Sequence, residues 1–204
     1  MPKRLFLAVD IDDATREQVG RISAELRERI GARTRASWVH PDRMHLTLQF
    51  FGNADEVVEQ RVRVALDTPI PQRPFELSFR GLGFFPERGS PRVLWLGIHA
   101  GVAELRRVQE ILAGRGLSGA APRARDAGRA EEERHTTVHA DQGFTPHLTL
   151  ARFRERVPRG RLGDLQRISA SAGPSRIDRV TLYESRLSPN GPAYLGVAEA
   201  SLQP

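Results

Sequence analysis

The sequence predicts an α+β fold with largely antiparallel sheets, arranged as two lobes that face each other across a cleft. Three observations predict it. Strand-like and helix-like segments are intermixed, with frequent hairpin signals in place of a regular βαβ alternation. The tetrapeptide His-Leu-Thr-Leu occurs twice, at 45–48 and 147–150, about half a chain apart. Finally, 204 residues suffice for one core shared by two small lobes, so a single domain over residues 1–204 is expected.

Residues 4–11 form a short apolar run with the character of a buried strand. Asp12 or Asp13 then offers an N-cap for a helix over 14–30, in which Val19, Ile22, Leu26 and Ile30 keep helical spacing. A strand is expected over 44–51. Gly52-Asn53-Ala54-Asp55 supplies a turn and cap, and a helix to Leu66 follows with Val57, Val58, Val62 and Leu66 inward, closed by Pro69 and Pro71. Residues 75–85 and 92–98 read as a strand pair joined by the 86–91 turn.

A second, similar cycle starts at Gly101, with a helix over 102–112 built on Leu105, Val108 and Leu112. The strand at 144–153 carries the second tetrapeptide, 162–171 is expected to be helical, and strands at 176–187 and 193–202 flank the turn 188–192. Residues 117–143 break the pattern. Arg123, Arg125, Asp126, Arg129, Glu131, Glu132, Glu133 and Arg134 crowd a stretch with almost no large apolar side chain, which predicts a long mobile loop; a functional lid is the alternative.

Composition narrows the chemistry. The chain has no cysteine, so thiolate nucleophiles, thiolate metal sites and disulfides are excluded, and catalysis must use histidine, carboxylate or hydroxyl groups. Formal charge is +6, carried almost wholly by arginine, since Lys3 is the single lysine. Arginine pairs with phosphate in a bidentate way, although genomic base composition explains arginine usage equally well. The apolar run that begins at Leu5 ends at Asp10, too short for a secretory leader, and no stretch approaches the ~20 apolar residues of a membrane span. A cytoplasmic protein is expected.

The repeat carries the functional reading. With six histidines, a chance recurrence of the following three residues is expected on the order of one time in a hundred. On a strand, alternation sends His45 and Thr47 to one face and Leu46 and Leu48 to the other, and the second copy does the same with His147 and Thr149. Two facing copies surround one small object with two imidazoles and two hydroxyls, an arrangement suited to a tetrahedral anion. One neutral and one protonated imidazole take a proton from a nucleophile and give one to a leaving oxygen, as phosphodiester cleavage requires. Hydroxyls donate to the non-bridging oxygens as charge shifts. The other histidines, His40, His99, His135 and His139, lack such context and are expected to be structural or solvated. No third ligand stands at metal-binding spacing from either motif histidine, so neither metal nor cofactor is expected, and no Gly-x-x-x-x-Gly-Lys loop is present.

The run from Trp38 to Gly52, the run Phe144-Thr-Pro-His-Leu-Thr-Leu-Ala-Arg152, the opening strand at 4–10 and Leu182-Tyr-Glu-Ser-Arg-Leu-Ser188 together resemble the bacterial and archaeal RNA 2',3'-cyclic phosphodiesterases. These enzymes, historically called 2'-5' RNA ligases, belong to the two-histidine (2H) phosphoesterase superfamily with its paired His-x-Thr-x motifs. The resemblance covers almost the whole chain. It implies a bilobal, pseudo-symmetric fold of two antiparallel sheets with outer helices and a central groove, and hydrolysis of 2',3'-cyclic phosphate ends to 2'-phosphomonoesters. By the same resemblance His45 is the general acid, His147 the base for water, Thr47 and Thr149 hold phosphate oxygens, and Arg152 binds the phosphate. Strict alternation puts Arg152 on the leucine face, so it needs a bulge or the strand's end to reach the site. Residues 119–141 exceed the family's usual length and carry no implied function.

The expected partners are RNA ends or cyclic-phosphate nucleotides, without membrane attachment, for a monomeric protein. Two rivals use the same residues or fewer. One is ligation or cleavage of 2'-5' linkages, or opening of a cyclic phosphate on a small nucleotide. The other is a non-catalytic RNA-end-binding module, with base stacking on Phe50, Phe51 or Tyr194.

Overall fold

A computed structural model describes residues 2–117, 146–188 and 191–204. Strand β1 (Lys3–Asp10) leads into helix α1 (Asp13–Ile30), the short strand β2 (Ala36–Trp38), a 3-10 turn at Pro41–Arg43 and strand β3 (His45–Ala54). Helix α2 (Glu56–Leu66), β4 (Ile70–Pro71), the hairpin β5 (Phe75–Phe85) and β6 (Val93–Ala100), and α3 (Val102–Gly114) follow. Beyond the segment 118–145 come β7 (His147–Phe153), the single turn α4 (Arg159–Leu162), a 3-10 segment at Gly163–Arg167, β8 (Ser171–Ile177), β9 (Arg179–Ser188) and β10 (Gly191–Gln203).

The strands form two five-stranded sheets, ordered β3-β1-β9-β10-β4 and β2-β7-β6-β5-β8. Every pairing is antiparallel except that of β10 with β4. The α+β architecture therefore stands, but the lobes are not the two halves of the chain. Each sheet takes strands from both halves. The reason lies in β1, whose Leu5 to Val9 are all buried. A strand buried on both faces and central in its sheet needs a partner on each side. Here β3 supplies one, and β9, from the far end of the chain, the other. One hydrophobic core, running from Leu5 through Leu94 and Leu148 to Leu202, joins both sheets.

Asp12 both starts α1 and ties it to the second sheet. Its Oδ1 accepts from the Thr15 N–H at 2.8 Å, its Oδ2 accepts from the Arg176 N–H at 3.2 Å, and its own N–H donates to the Ser175 hydroxyl at 2.8 Å. Partial burial works against the charged form, yet these hydrogen bonds hold the carboxyl below the usual Asp range. We expect Asp12→Ala to destabilise the protein by about 2 kcal/mol, the usual cap contribution plus an orphaned Arg176 N–H. Because the folded pKa is depressed, this stability is present above the ordinary carboxylate pKa of ~3.9 and is lost as pH falls through the lower folded value. Urea unfolding of both proteins at pH 7 and near pH 3 checks this, and an unchanged midpoint at pH 7 contradicts it.

Three local expectations are corrected. Val57 faces water with 76% of its surface exposed, because Val62 and Leu66 form the buried stripe of α2 with Val58 partly covered, leaving Val57 off that face. The segment 162–171 is not one helix: a short turn passes into a 3-10 segment, and Ser171 opens β8. That strand was hidden because Ser171-Ala-Gly-Pro-Ser175 has turn composition and little apolar alternation. Leu117, assigned to the charged loop, is fully buried in the core. The rest of that expected loop, to residue 143, lies outside the described residues.

Candidate active site

Both copies of the tetrapeptide lie on strands with the same division of labour. Leu46, Leu48, Leu148 and Leu150 are buried in the core, while His45, Thr47, His147 and Thr149 keep part of their surface in water. In the first sheet His45 stands opposite Asp10, and Thr47 opposite Ala8. In the second, His147 stands opposite Gly97, and Thr149 opposite Trp95. Directly opposed residues project from the same face of a sheet, so these pairs outline the two groove faces.

Each copy is followed by the same irregularity. The ladder runs from Ala8↔Thr47 to Leu7↔Gln49, and from Trp95↔Thr149 to Leu94↔Ala151, so Leu48 and Leu150 are extra residues in their strands. An added residue reverses the alternation beyond it. The fifth residue after each histidine thereby returns to the histidine face: Phe50, opposite Phe6, in one strand, and Arg152, opposite Val93, in the other. A bulge is thus what brings Arg152 round from the leucine side. The pseudo-symmetry extends past the tetrapeptides to the backbone that follows them.

The faces look into one space. Strands β3 and β7 are in contact although they belong to different sheets, and the Arg152 charge is felt at both His45 and Tyr194. The His45 ring is held on several sides. Its Nδ1 lies 2.9 Å from the Arg43 carbonyl oxygen, to which it donates, leaving Nε2 as the nitrogen for chemistry. Phe6 stacks on it at 4.8 Å between centroids, and Tyr194 meets it edge-on at 5.0 Å. Burial in this cluster pushes the His45 pKa down to about 4; the Arg43 carbonyl and Asp10 oppose the shift, and Arg152 adds to it. Asp10 accepts a 2.7 Å hydrogen bond from the Tyr183 hydroxyl, and burial with that bond raises the Tyr183 pKa, so the phenol stays a donor. Burial lowers the pKa of Arg152, with Arg154 and Arg4 acting in the same sense and Tyr194 opposing, but a guanidinium remains charged at neutral pH.

On the second sheet His147 meets the edge of Phe85 at 4.9 Å and lies 6.2 Å from Trp95. Across the groove the Arg4 guanidinium sits 4.9 Å over the Phe50 ring and is felt at Arg152 and Tyr194. Five residues after its histidine the first repeat thus carries an aromatic ring beneath the Arg4 cation, where the second carries the Arg152 guanidinium itself. Among the described residues no three His, Asp or Glu side chains converge as a metal site would require. A separate surface hollow of about 890 Å³ lies beside α2, lined by Val57, Val64 and Arg115 among others. It holds no acid-base group of the motifs, and its Arg115 is engaged with the carbonyls of Ala65, Thr68 and Pro69. Of the remaining histidines, His40 is exposed beside Asp42 and His99 is exposed; His135 and His139 lie outside the described residues.

Sequence reasoning passed over Arg4, Asp10, Tyr183, Phe85 and Trp95. Alternation with the buried Leu5, Leu7 and Val9 already puts Arg4 and Asp10 on one face of β1. For Trp95 the only signal was a pair of glycines in flanking strand positions.

Two facing antiparallel sheets, each giving a His-x-Thr-x strand to a common groove, mark the two-histidine class of phosphoesterases. The chain belongs to the LigT-like phosphoesterase family, whose model matches residues 9–95 and 120–194. It is 33% identical over 193 residues to the RNA 2',3'-cyclic phosphodiesterase of Archaeoglobus fulgidus, covering 94% of this chain and 96% of the relative. It is 32% identical over 203 residues to the protein of the same name from Methanothermobacter thermautotrophicus, covering 95% and 96%. A crystal structure from Thermus thermophilus superimposes with a TM-score of 0.68 at 26% identity, covering 98% of this chain and 97% of that one. Escherichia coli LigT complexed with 3'-AMP shares the fold, with a TM-score of 0.68 at 23% identity, covering 100% and 99%.

Proposed function

We propose that the chain, as a single 2H phosphoesterase domain over residues 1–204, opens 2',3'-cyclic phosphate ends of RNA to 2'-phosphomonoesters without metal or cofactor. The observation that carries this reading is the doubled His-Leu-Thr-Leu strand with its doubled bulge, which turns two imidazoles, two hydroxyls and a guanidinium toward one groove. The substrate class is supported by the relatives, named RNA 2',3'-cyclic phosphodiesterases. RNA ends or cyclic-phosphate nucleotides are its partners, and it acts as a cytoplasmic monomer. No helix among the described residues is long and apolar enough to cross a membrane.

In this mechanism His147 removes a proton from water, whose oxygen attacks phosphorus opposite the 3'-oxygen. The bond from phosphorus to O3' breaks, its electron pair goes to that oxygen, and His45 delivers the proton that makes it a hydroxyl. Thr47 and Thr149 donate hydrogen bonds to the non-bridging oxygens, and Arg152 offsets their charge. The low His45 pKa of the free protein fits this role once the substrate is counted. A phosphate anion about 4 Å from the ring contributes about 4 kcal/mol at an effective dielectric of about 20, or about 3 pKa units. That lifts His45 from about 4 to near neutrality, so the acid is charged by the arrival of the group it serves. Turnover of adenosine 2',3'-cyclic phosphate is expected to be unchanged after exhaustive treatment with a strong chelator. Loss of activity that zinc or manganese restores contradicts the proposal.

A further inference from the structure

The two repeats agree through the bulge and part company after it. Seven residues beyond its histidine the first strand has Gly52, with no side chain to offer, where the second has Arg154. Phe153, between the two arginines, is buried in the core, so alternation returns Arg154 to the face that Arg152 occupies. Strand β2 agrees with that placement. Ser37 stands directly opposite Arg152, and its hydroxyl accepts from the Arg154 Nε–H at 2.7 Å. Hydroxyl and guanidinium therefore share the groove face at the edge of the second sheet.

This arrangement costs the empty groove stability. Arg154 is exposed, and its charge lies near enough to Arg152 to disfavour the charge there. Like charges side by side repel, and an anion seated along them relieves both. The neighbouring strand adds more positive charge, since the Arg154 N–H donates to the carbonyl of Arg35, which stands across from it. Glu155, the acid next in sequence, is turned to the Arg35 N–H at 3.0 Å. Meanwhile the Ser37 bond holds a long side chain in place, so less rotamer entropy is lost when a ligand arrives.

Spacing identifies the anion. Residues two apart on a strand lie ~7 Å from each other, which is the reach of a single nucleotide along an extended backbone. At an RNA end, the ribose that bears the cyclic phosphate carries on its 5'-oxygen the phosphodiester to the preceding nucleotide. We propose that Arg154, braced by Ser37, binds this preceding phosphodiester while Arg152 holds the cyclic phosphate, so that the groove favours an RNA end over a cyclic mononucleotide. A cyclic mononucleotide has no such group to offer. The site rests on the reaction proposed above but makes a separate claim about which substrate is taken.

The test uses adenosine 2',3'-cyclic phosphate, the dinucleotide ApA with a 2',3'-cyclic phosphate end, and the same dinucleotide with a neutral methylphosphonate as its internal linkage. Wild type should prefer the diester to the methylphosphonate by about tenfold in kcat/KM, the usual worth of a charge-assisted hydrogen bond. Arg154→Ala should erase that preference and change mononucleotide turnover less than about threefold, the scale of a screened surface charge. Arg154→Lys should keep part of the preference. In Arg154→Ala the slope of log KM against log salt for the diester should also fall by about 0.7, one counterion fewer on a single strand, with no change for the mononucleotide. Equal kcat/KM for diester and methylphosphonate in wild type, or equal losses on all three substrates in Arg154→Ala, overturns the site. If wild type turns over none of the three, the proposed reaction fails, and binding of the two dinucleotides with 2'-phosphate ends decides the site alone. A tighter diester whose advantage disappears in Arg154→Ala upholds it, and equal affinities reject it.

Discussion

Replacing His147 with alanine is expected to slow opening of a 2',3'-cyclic phosphate and cleavage of a nitrophenyl phosphodiester alike, each by about 10²–10⁴, the usual contribution of a positioned general base. Water must be activated in either case. His45→Ala should separate the two substrates. A ribose 3'-oxygen is a poor leaving group and needs a proton as its bond breaks, whereas nitrophenolate departs without one. We expect His45→Ala to lose cyclic-phosphate opening by a similar factor and to keep most of its activity on an activated ester that fits the groove.

The structure sharpens this through the His45 surroundings. With its pKa depressed to about 4, the free protein holds the ring neutral over most of the pH range between 4 and the ordinary imidazole value of ~6.5. Binding a 2'-nucleotide in that window should therefore take up a proton at His45, in addition to any taken up by the ligand. Calorimetry in buffers of different ionisation enthalpy measures the uptake, and His45→Gln should remove that part of it. If His147→Ala is the variant spared on the activated ester and His45→Ala is damaged on both, the acid and base are exchanged.

Removing the Arg152 guanidinium is the second large effect expected. Arg152→Ala should lower kcat/KM by about 10²–10³, the range seen when a preorganised charge-stabilising donor is lost. Lysine should restore only part of it, because a point charge does not reproduce a planar fork. A further readout distinguishes loss of a site charge from general damage. The Arg152 charge contributes to the depression of His45, so the His45 titration followed by NMR should move upward in Arg152→Ala. An Arg152→Ala enzyme with normal kcat/KM and an unmoved His45 titration removes Arg152 from the mechanism.

How much of this was legible in the sequence depended on whether a feature was written in one local pattern. The cap at Asp12, the α1 stripe and the buried opening strand obey helical or strand periodicity, and the structure follows them closely. The doubled tetrapeptide singled out His45, Thr47, His147 and Thr149 because repetition needs no knowledge of the fold. Arg152 required one more fact, the bulge at Leu150, and an alternating pattern carries no mark of where a ladder will slip. Trp95 was illegible for a related reason. Its position follows from Gly83 and Gly97 on two different strand positions, a relation that exists only once β5 and β6 pair. The shared strands of the two sheets were missed because the repeat suggested lobes built from consecutive halves, whereas doubly buried β1 draws its second neighbour from β9. Val57 was misplaced by apolarity alone, a poor guide at the first turn of a short helix.

The product of one reaction tests the two-histidine chemistry. An oligoribonucleotide with a 2',3'-cyclic phosphate end is incubated with the protein in a strong chelator, and the phosphate position is identified by phosphorus NMR. A 2'-phosphomonoester beside a free 3'-hydroxyl is expected, formed by wild type and absent with the His45→Ala, His147→Ala double variant. A 3'-phosphate product, or equal turnover by the double variant, would contradict it.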